Sequence, residues 1–251
     1  MDWVKDFYAK QQQWSGVYTS AVSDYNRKRA LQLQSMAGVG RKSVLELGAG
    51  GGQNAFATAE LGYDVTAIEL LEESAVHATG LVRHLRNGSL HVLQADFYEI
   101  RLGATYDVIS YWDGFGIGQD SDQVRLLRRI AQWLNRDGVV IMDIYSPWYW
   151  ARFAGQEMSF HGVTRRYEFD AFGSRMIDRW WPDAAPEKGA AQSLRCYSPA
   201  DLKLLLDDTG LVLVDLEIVP GGMVDYEKGA YIEETSLDQC MQYTVKLVRA
   251  Y

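Results

Sequence analysis

Short apolar runs and stretches of helical spacing alternate through the middle of the chain. Ser43–Leu47 is a short, mostly apolar run that ends in glycines, the pattern of a buried strand entering a tight turn. Residues 53–61 carry apolar side chains at helical spacing and stop at Gly62. Residues 64–68 predict a second strand with Glu69 at its end, 71–85 a helix, 90–94 a third strand and Tyr106–Tyr111 a fourth. Residues 122–134 place Val124, Leu127, Ile130, Ala131 and Leu134 on one helical face, and 138–144 predict a fifth strand. Such alternation from 43 to 145 implies a doubly wound α/β sheet, mostly parallel, with helices on both faces and right-handed crossovers.

The two flanks follow other rhythms. Residues 1–40 mix polar residues with Phe7, Tyr8, Trp14, Tyr18 and Tyr25, and predict one or two helices outside the sheet. They are expected to form a helical lid, and 41–251 a single domain. Residues 146–195 hold Trp148, Tyr149, Trp150, Tyr167, Phe169, Trp180 and Trp181, with 164–170 and 174–181 predicting an inserted antiparallel hairpin that covers the substrate side. Ser198 and Pro199 suit a helix start, which Gly210 ends. Strands at 211–219 and 241–248 then complete seven, one of them antiparallel.

Composition narrows the function. The chain has 251 residues, 47% hydrophobic, enough for a sizeable core. Its formal charge of -8 disfavours a phosphate backbone as partner, so no nucleic acid is expected. The short basic stretch from Asn26 to Arg29 reads as a solvated helix face. Cys196 and Cys240 form no CxxC pair, which argues against a zinc knuckle or disulfide framework and suits a reducing, cytoplasmic setting. No apolar run reaches the roughly 18 residues of a membrane span, and the first residues lack the features of a signal peptide. His77, His84 and His91 are evenly spaced, but His91 falls in a strand; they read as solvated, and no metal is expected.

The informative chemistry is Glu46-Leu47-Gly48-Ala49-Gly50-Gly51-Gly52, between a strand and a helix. Glycines there admit a ligand close to the backbone, and the helix start offers free N–H groups. Three acids follow at the carboxyl ends of successive strands, the rim where open α/β sheets bind ligands. Glu69 suits the paired hydroxyls of a ribose. Asp96, with Phe97 beside it, suits an adenine ring. Asp113 ends the fourth strand within Tyr111-Trp112-Asp113-Gly114-Phe115-Gly116.

In these motifs, residues 43–145 resemble the core of class I S-adenosylmethionine-dependent methyltransferases. Val44 to Gly52 resembles their first motif, Glu69 their ribose acid, Asp96-Phe97 their adenine pair, Tyr106–Tyr111 their fourth strand, and Leu134 to Gly138 the turn before the fifth, with Asp137 in place of a glycine. The resemblance implies a Rossmann-like seven-stranded fold. It also implies S-adenosyl-L-methionine as cofactor and S-adenosyl-L-homocysteine as product. Glu46, Gly48, Ala49, Gly50, Gly52, Glu69, Leu70, Asp96, Phe97 and Tyr111 are the implied cofactor residues. Members that methylate amino groups of small molecules carry Asn-Ser-Phe-Gly where this chain has Asp113-Gly114-Phe115-Gly116.

The expected reaction is in-line methyl transfer to a small molecule, at nitrogen first, at carbon or oxygen second. It requires alignment and exclusion of water rather than a covalent nucleophile. Asp113, Tyr111 and His161 are the candidate catalytic residues. Tyr18, Trp112, Trp148 and Trp180 are the candidate acceptor walls. Arg165, Arg175 and Arg179 read as paired surface charges, with recognition of an acidic group as their other use. Two readings of another class stand beside this one: a non-catalytic nucleoside-binding protein, and an NAD-dependent oxidoreductase. The latter is disfavoured by the bulk of Gln53 where a small residue is needed.

Overall fold

The apolar runs become the strands of a central sheet. The computed structural model describes residues 2–38, 40, 42–160, 162–219, 223–225, 230–232 and 235–250. Two helices come first, α1 (Asp2–Ser15) and α2 (Asp24–Ala37). The core follows as β1 (Ser43–Leu47), α3 (Gln53–Glu60), β2 (Asp64–Glu69), α4 (Glu72–Leu81), β3 (Ser89–Gln94), β4 (Tyr106–Tyr111), α5 (Asp120–Trp133) and β5 (Leu134–Tyr145). An insert comprises α6 (Pro147–Arg152), β6 (Glu157–Phe160), β7 (Val163–Asp170), β8 (Arg175–Pro182) and β9 (Ala190–Arg195). The chain closes with α7 (Pro199–Leu205), β10 (Leu211–Ile218), the short pair β11 (Met223–Asp225) and β12 (Ala230–Ile232), and β13 (Gln242–Arg249).

Among the described residues the central sheet has 7 strands in the order β10-β13-β5-β4-β1-β2-β3, and only β13 runs against the rest. Period-two alternation feeds two apolar layers. Leu45, Ile109, Val140 and Met142 pack on the α5 side. Val44, Val108, Val139 and Ile141 pack toward α2 and α3. The carboxyl ends of the parallel strands make one rim, and antiparallel β13 brings its first residue there: Gln242 pairs with Tyr145, the last residue of β5.

Several expectations need correction. The insert is a four-stranded antiparallel sheet in the order β6-β7-β8-β9, not a hairpin. The outer strands escaped notice because they are short and polar, with Gln192 and Leu194 facing inward on β9. The sheet packs on α1, where Trp3 and Phe7 meet Val163 and Trp180. Its ends meet: Tyr197 N–H donates to Tyr145 O at 3.1 Å. The turn expected at 134–138 is the beginning of β5, paired with β4 through a register shift.

The basic stretch is not solvated throughout. Arg29, 1% exposed, stacks over Trp112 at 4.3 Å. Its Nη2 reaches Asp143 Oδ1 at 2.5 Å, and Thr244 donates to the same oxygen at 2.8 Å. This buried pair fixes α2 beneath the centre of the sheet.

Candidate active site

A cavity of about 900 Å³ opens over the carboxyl rim. Its size is at the upper end for ligand pockets, roughly 300–1,000 Å³. Two halves can be distinguished by the elements that line them.

The first half is built on the glycine turn. Gly48 has φ 59°, and a Cβ there would stand 3.3 Å from the Tyr111 ring. A Cβ on Gly51 would overlap Tyr18 O, so the N-terminal segment lies directly against the turn. Glu69, from the end of β2, accepts from Gly50 N–H at 2.7 Å and Leu71 N–H at 2.8 Å. Burial raises its pKa, and those N–H groups pull it back toward the ionised form. Gly50, Leu70, Asp96, Phe97 and Tyr111 border the same space. Asp96 accepts from Tyr98 N–H at 2.7 Å, while Phe97 meets Tyr111 edge-on at 5.5 Å.

Three of the expected cofactor residues lie just outside the lining. Ala49 donates its N–H to Ile68 O, and Gly52 caps α3 against Ala78. Glu46 lies buried beneath the turn. Burial pushes its carboxyl up to about 8, against the opposing pull of Trp112 and the Ala55 N–H. Among the described residues Trp112 Nε1 and Glu46 Oε2 nonetheless both lack a hydrogen-bond partner.

The second half centres on Asp113, at φ 56° just past β4. Its side chain is exposed to the cavity. Tyr145 Oη donates to Asp113 Oδ1 in a very short bond, and Gln242 Nε2 donates to the same oxygen at 2.6 Å. Burial raises the Asp113 pKa, and these two donors lower it. Burial also raises the phenols of Tyr8, Tyr18, Tyr111 and Tyr145 well above their ordinary range, so all four stay neutral. Tyr111 spends its hydroxyl on Gly114 O, at 2.8 Å.

The roof comes from α1 and the insert, joined by Tyr8 Oη donating to Gln192 Oε1 at 3.0 Å. Arg165 and Trp180 complete it. Arg165 is therefore no surface charge. Arg179 does pair at the surface, with Glu168 at 3.0 Å, while Arg175 bonds Ser193 within the insert.

The structure brings Tyr18, Trp112, Trp180, Tyr111 and Asp113 to one cavity. Most of Trp112 packs between Arg29 and the α2 side of the sheet. Trp148 is 38% exposed on α6 and does not line the cavity. His161 lies outside the described residues. Tyr8, Tyr145, Gln192 and Gln242 were missed. For Tyr145 and Gln242 a signal existed: Tyr145 directly follows the predicted strand 138–144, and Gln242 is the second residue of the predicted strand 241–248. Among the described residues no group of acids, histidines and cysteines could hold a metal, and no helix is long and apolar enough to cross a membrane.

Fold and site together define a doubly wound α/β protein with a ligand-sized cavity on the carboxyl rim of its sheet. The methyltransferase-domain family model matches residues 20–216, and the chain belongs to that family. A cypemycin N-terminal methyltransferase from Streptomyces is 28% identical over 120 residues, covering 47% of this chain. The match spans about half of that relative, 48% of its length. Among solved structures, the CcbJ methyltransferase of Streptomyces caelestis is similar in fold, with TM-score 0.69, 19% identity, and coverage of 93% of this chain and 98% of that one. The glycopeptide N-methyltransferase MtfA shares the fold at TM-score 0.61 and 16% identity, covering 90% of each chain. MtfA has also been solved with S-adenosyl-L-methionine and with S-adenosyl-L-homocysteine bound.

Proposed function

We propose that the protein transfers a methyl group from S-adenosyl-L-methionine to a nitrogen of a small-molecule amine by direct in-line displacement. One observation carries the reading: a single cavity joins the glycine turn and the strand-tip acids Glu69 and Asp96 to a second carboxylate, Asp113. The donor residues fit a sulfonium nucleoside. Glu69 presents a carboxylate for two ribose hydroxyls, Asp96 and Phe97 suit an adenine edge and face, and Gly48 leaves room where a Cβ would crowd Tyr111. When bound, the donor supplies an electrophilic methyl carbon.

The chain's own groups do the rest. Among the described residues both donors to Asp113 fall on Oδ1, which leaves Oδ2 for the N–H of an incoming amine. A carboxylate with a raised pKa is the better proton acceptor, so Asp113 Oδ2 both orients the amine and takes its proton. Tyr145 and Gln242 hold that carboxylate in place. Tyr8, Tyr18 and Trp180 exclude water, which favours aligned attack on the carbon over loss to solvent.

Calorimetric titration with S-adenosyl-L-methionine, S-adenosyl-L-homocysteine and NADH tests the donor, and transfer of labelled methyl to a panel of small amines tests the reaction. Binding of NADH in preference to either nucleoside would sink the proposal. Tight donor binding without transfer to any nitrogen, oxygen or carbon acceptor would favour a non-catalytic nucleoside-binding protein.

A further inference from the structure

The acceptor half contains a cation whose hydrogen-bonding capacity is only partly used. Arg165, on β7, is bound side-on by Asp178 of β8: Nε reaches Oδ1 at 3.1 Å and Nη2 reaches Oδ2 at 2.6 Å. Asp178, fully buried, is held in turn by Trp180 Nε1 at 2.8 Å and Gln192 Nε2 at 3.1 Å. The guanidinium also stacks over Tyr167 and over Trp180, each at 4.6 Å. Burial works against its charge, but Asp178 more than reverses this, so Arg165 stays cationic. Two in-plane bonds and two aromatic rings thus fix the orientation of a planar fork.

That fixed fork retains donors. Among the described residues no protein acceptor meets Nη1, and the side chain, 22% exposed, borders the cavity. The other cations of the lining are differently placed. Lys5 is exposed on α1, and Arg125 pairs with Glu99 and stacks on Tyr98, beside the donor acids. Arg165 alone among them belongs to the roof over Asp113, and its charge reaches both Asp113 and Tyr145.

We propose that the Nη1 edge of Arg165 is a carboxylate subsite, so that the acceptor is an amino acid-like molecule with its amine at Asp113 and a carboxylate at Arg165. The amine half of this statement rests on the function proposed above; the carboxylate half rests on Arg165 alone. A rigid guanidinium offering paired N–H groups suits a carboxylate better than a single neutral oxygen. Asp178 neutralises the resident charge, so the subsite reads geometry and hydrogen bonding more than net attraction. The aromatic walls Tyr8 and Trp180 suit a planar or apolar body between the two poles.

The test uses the full chain saturated with S-adenosyl-L-homocysteine and three probes of similar shape: benzoate, benzamide and benzyl alcohol. Benzoate is expected to bind at least about tenfold more tightly than either neutral probe in calorimetric titration, the effect of a charge-assisted pair. Arg165→Gln should abolish that preference while S-adenosyl-L-homocysteine affinity stays within about twofold. Because Arg165→Gln leaves Asp178 buried without its cation, the double variant Arg165→Gln/Asp178→Asn removes both charges and serves as the folding control, checked by its thermal melt. Benzoate binding no tighter than benzamide in the wild type, or a benzoate preference that survives in the double variant, would overturn the subsite. Failure of S-adenosyl-L-homocysteine to bind would instead sink the donor reading, and the benzoate titration on the free protein would still decide Arg165.

Discussion

The two halves of the cavity are assembled in opposite ways. The half proposed for the donor comes mainly from one stretch of chain, from the glycine turn after β1 to Tyr111, and its acids are held by backbone: Gly50 and Leu71 N–H on Glu69, Tyr98 N–H on Asp96. The acceptor half gathers Tyr8, Asp113, Tyr145, Arg165, Gln192 and Gln242 from distant segments, and these residues act through side chains. Acids held by backbone suit a constant ligand, because few substitutions elsewhere disturb them. A half held by side chains from separate elements can change its ligand while the other half stays intact.

If both halves rest on one floor, the strongest blow should fall beneath them. Arg29→Ala leaves Asp143 buried without its cation and should cost about 3–5 kcal/mol of stability by denaturant melt. Arg29→Met/Asp143→Leu should recover most of that loss. A single variant as stable as the wild type would show that the floor is not shared.

The next variants separate the halves. Asp113→Asn should lower kcat/KM roughly 100-fold with donor affinity unchanged, as expected for a lost proton acceptor. Glu69→Ala should do the reverse, weakening S-adenosyl-L-homocysteine by at least about tenfold by calorimetry. Loss of donor affinity in Asp113→Asn would mean that the halves are not separable.

Smaller effects concern protons. Tyr145→Phe removes a bond that lowers the Asp113 pKa, so the acidic limb of kcat/KM should move to higher pH, with turnover down only severalfold. An unmoved limb would deny Asp113 the role of base. Glu46 should leave its mark on stability. Its carboxyl lies at about 8 in the fold against an ordinary 4.5, so the folded state holds a proton that the unfolded chain releases. Its contribution is fully present below pH 4.5 and is lost as pH rises through about 8. Glu46→Gln should flatten that slope, measured by chemical denaturation across the range.

The same contrast explains what the sequence disclosed. The parallel strands announce themselves as apolar runs because both their faces are buried, and the strand-tip acids follow by position. The fold and the lining from Gly48 to Asp113 were therefore legible. The acceptor half depends on pairings that no local pattern encodes. Arg29 looked solvated because its partner Asp143 is 114 positions away. Arg165 looked like a surface charge because its partner Asp178 stands on the facing strand β8 and nothing local shows that α1 covers the face beside Trp180. Gln242 reaches Asp113 only because β13 runs backward, which brings a strand start to a rim made of strand ends.

The bond between Tyr197 N–H and Tyr145 O has an evolutionary consequence. The insert leaves and re-enters the core at points one hydrogen bond apart, so exchanging everything between them adds little loop-closure entropy and cuts no strand of the central sheet. Related chains can thus be recombined here as chimaeras, and of the residues proposed to meet the acceptor only Arg165, Trp180 and Gln192 would travel with the graft.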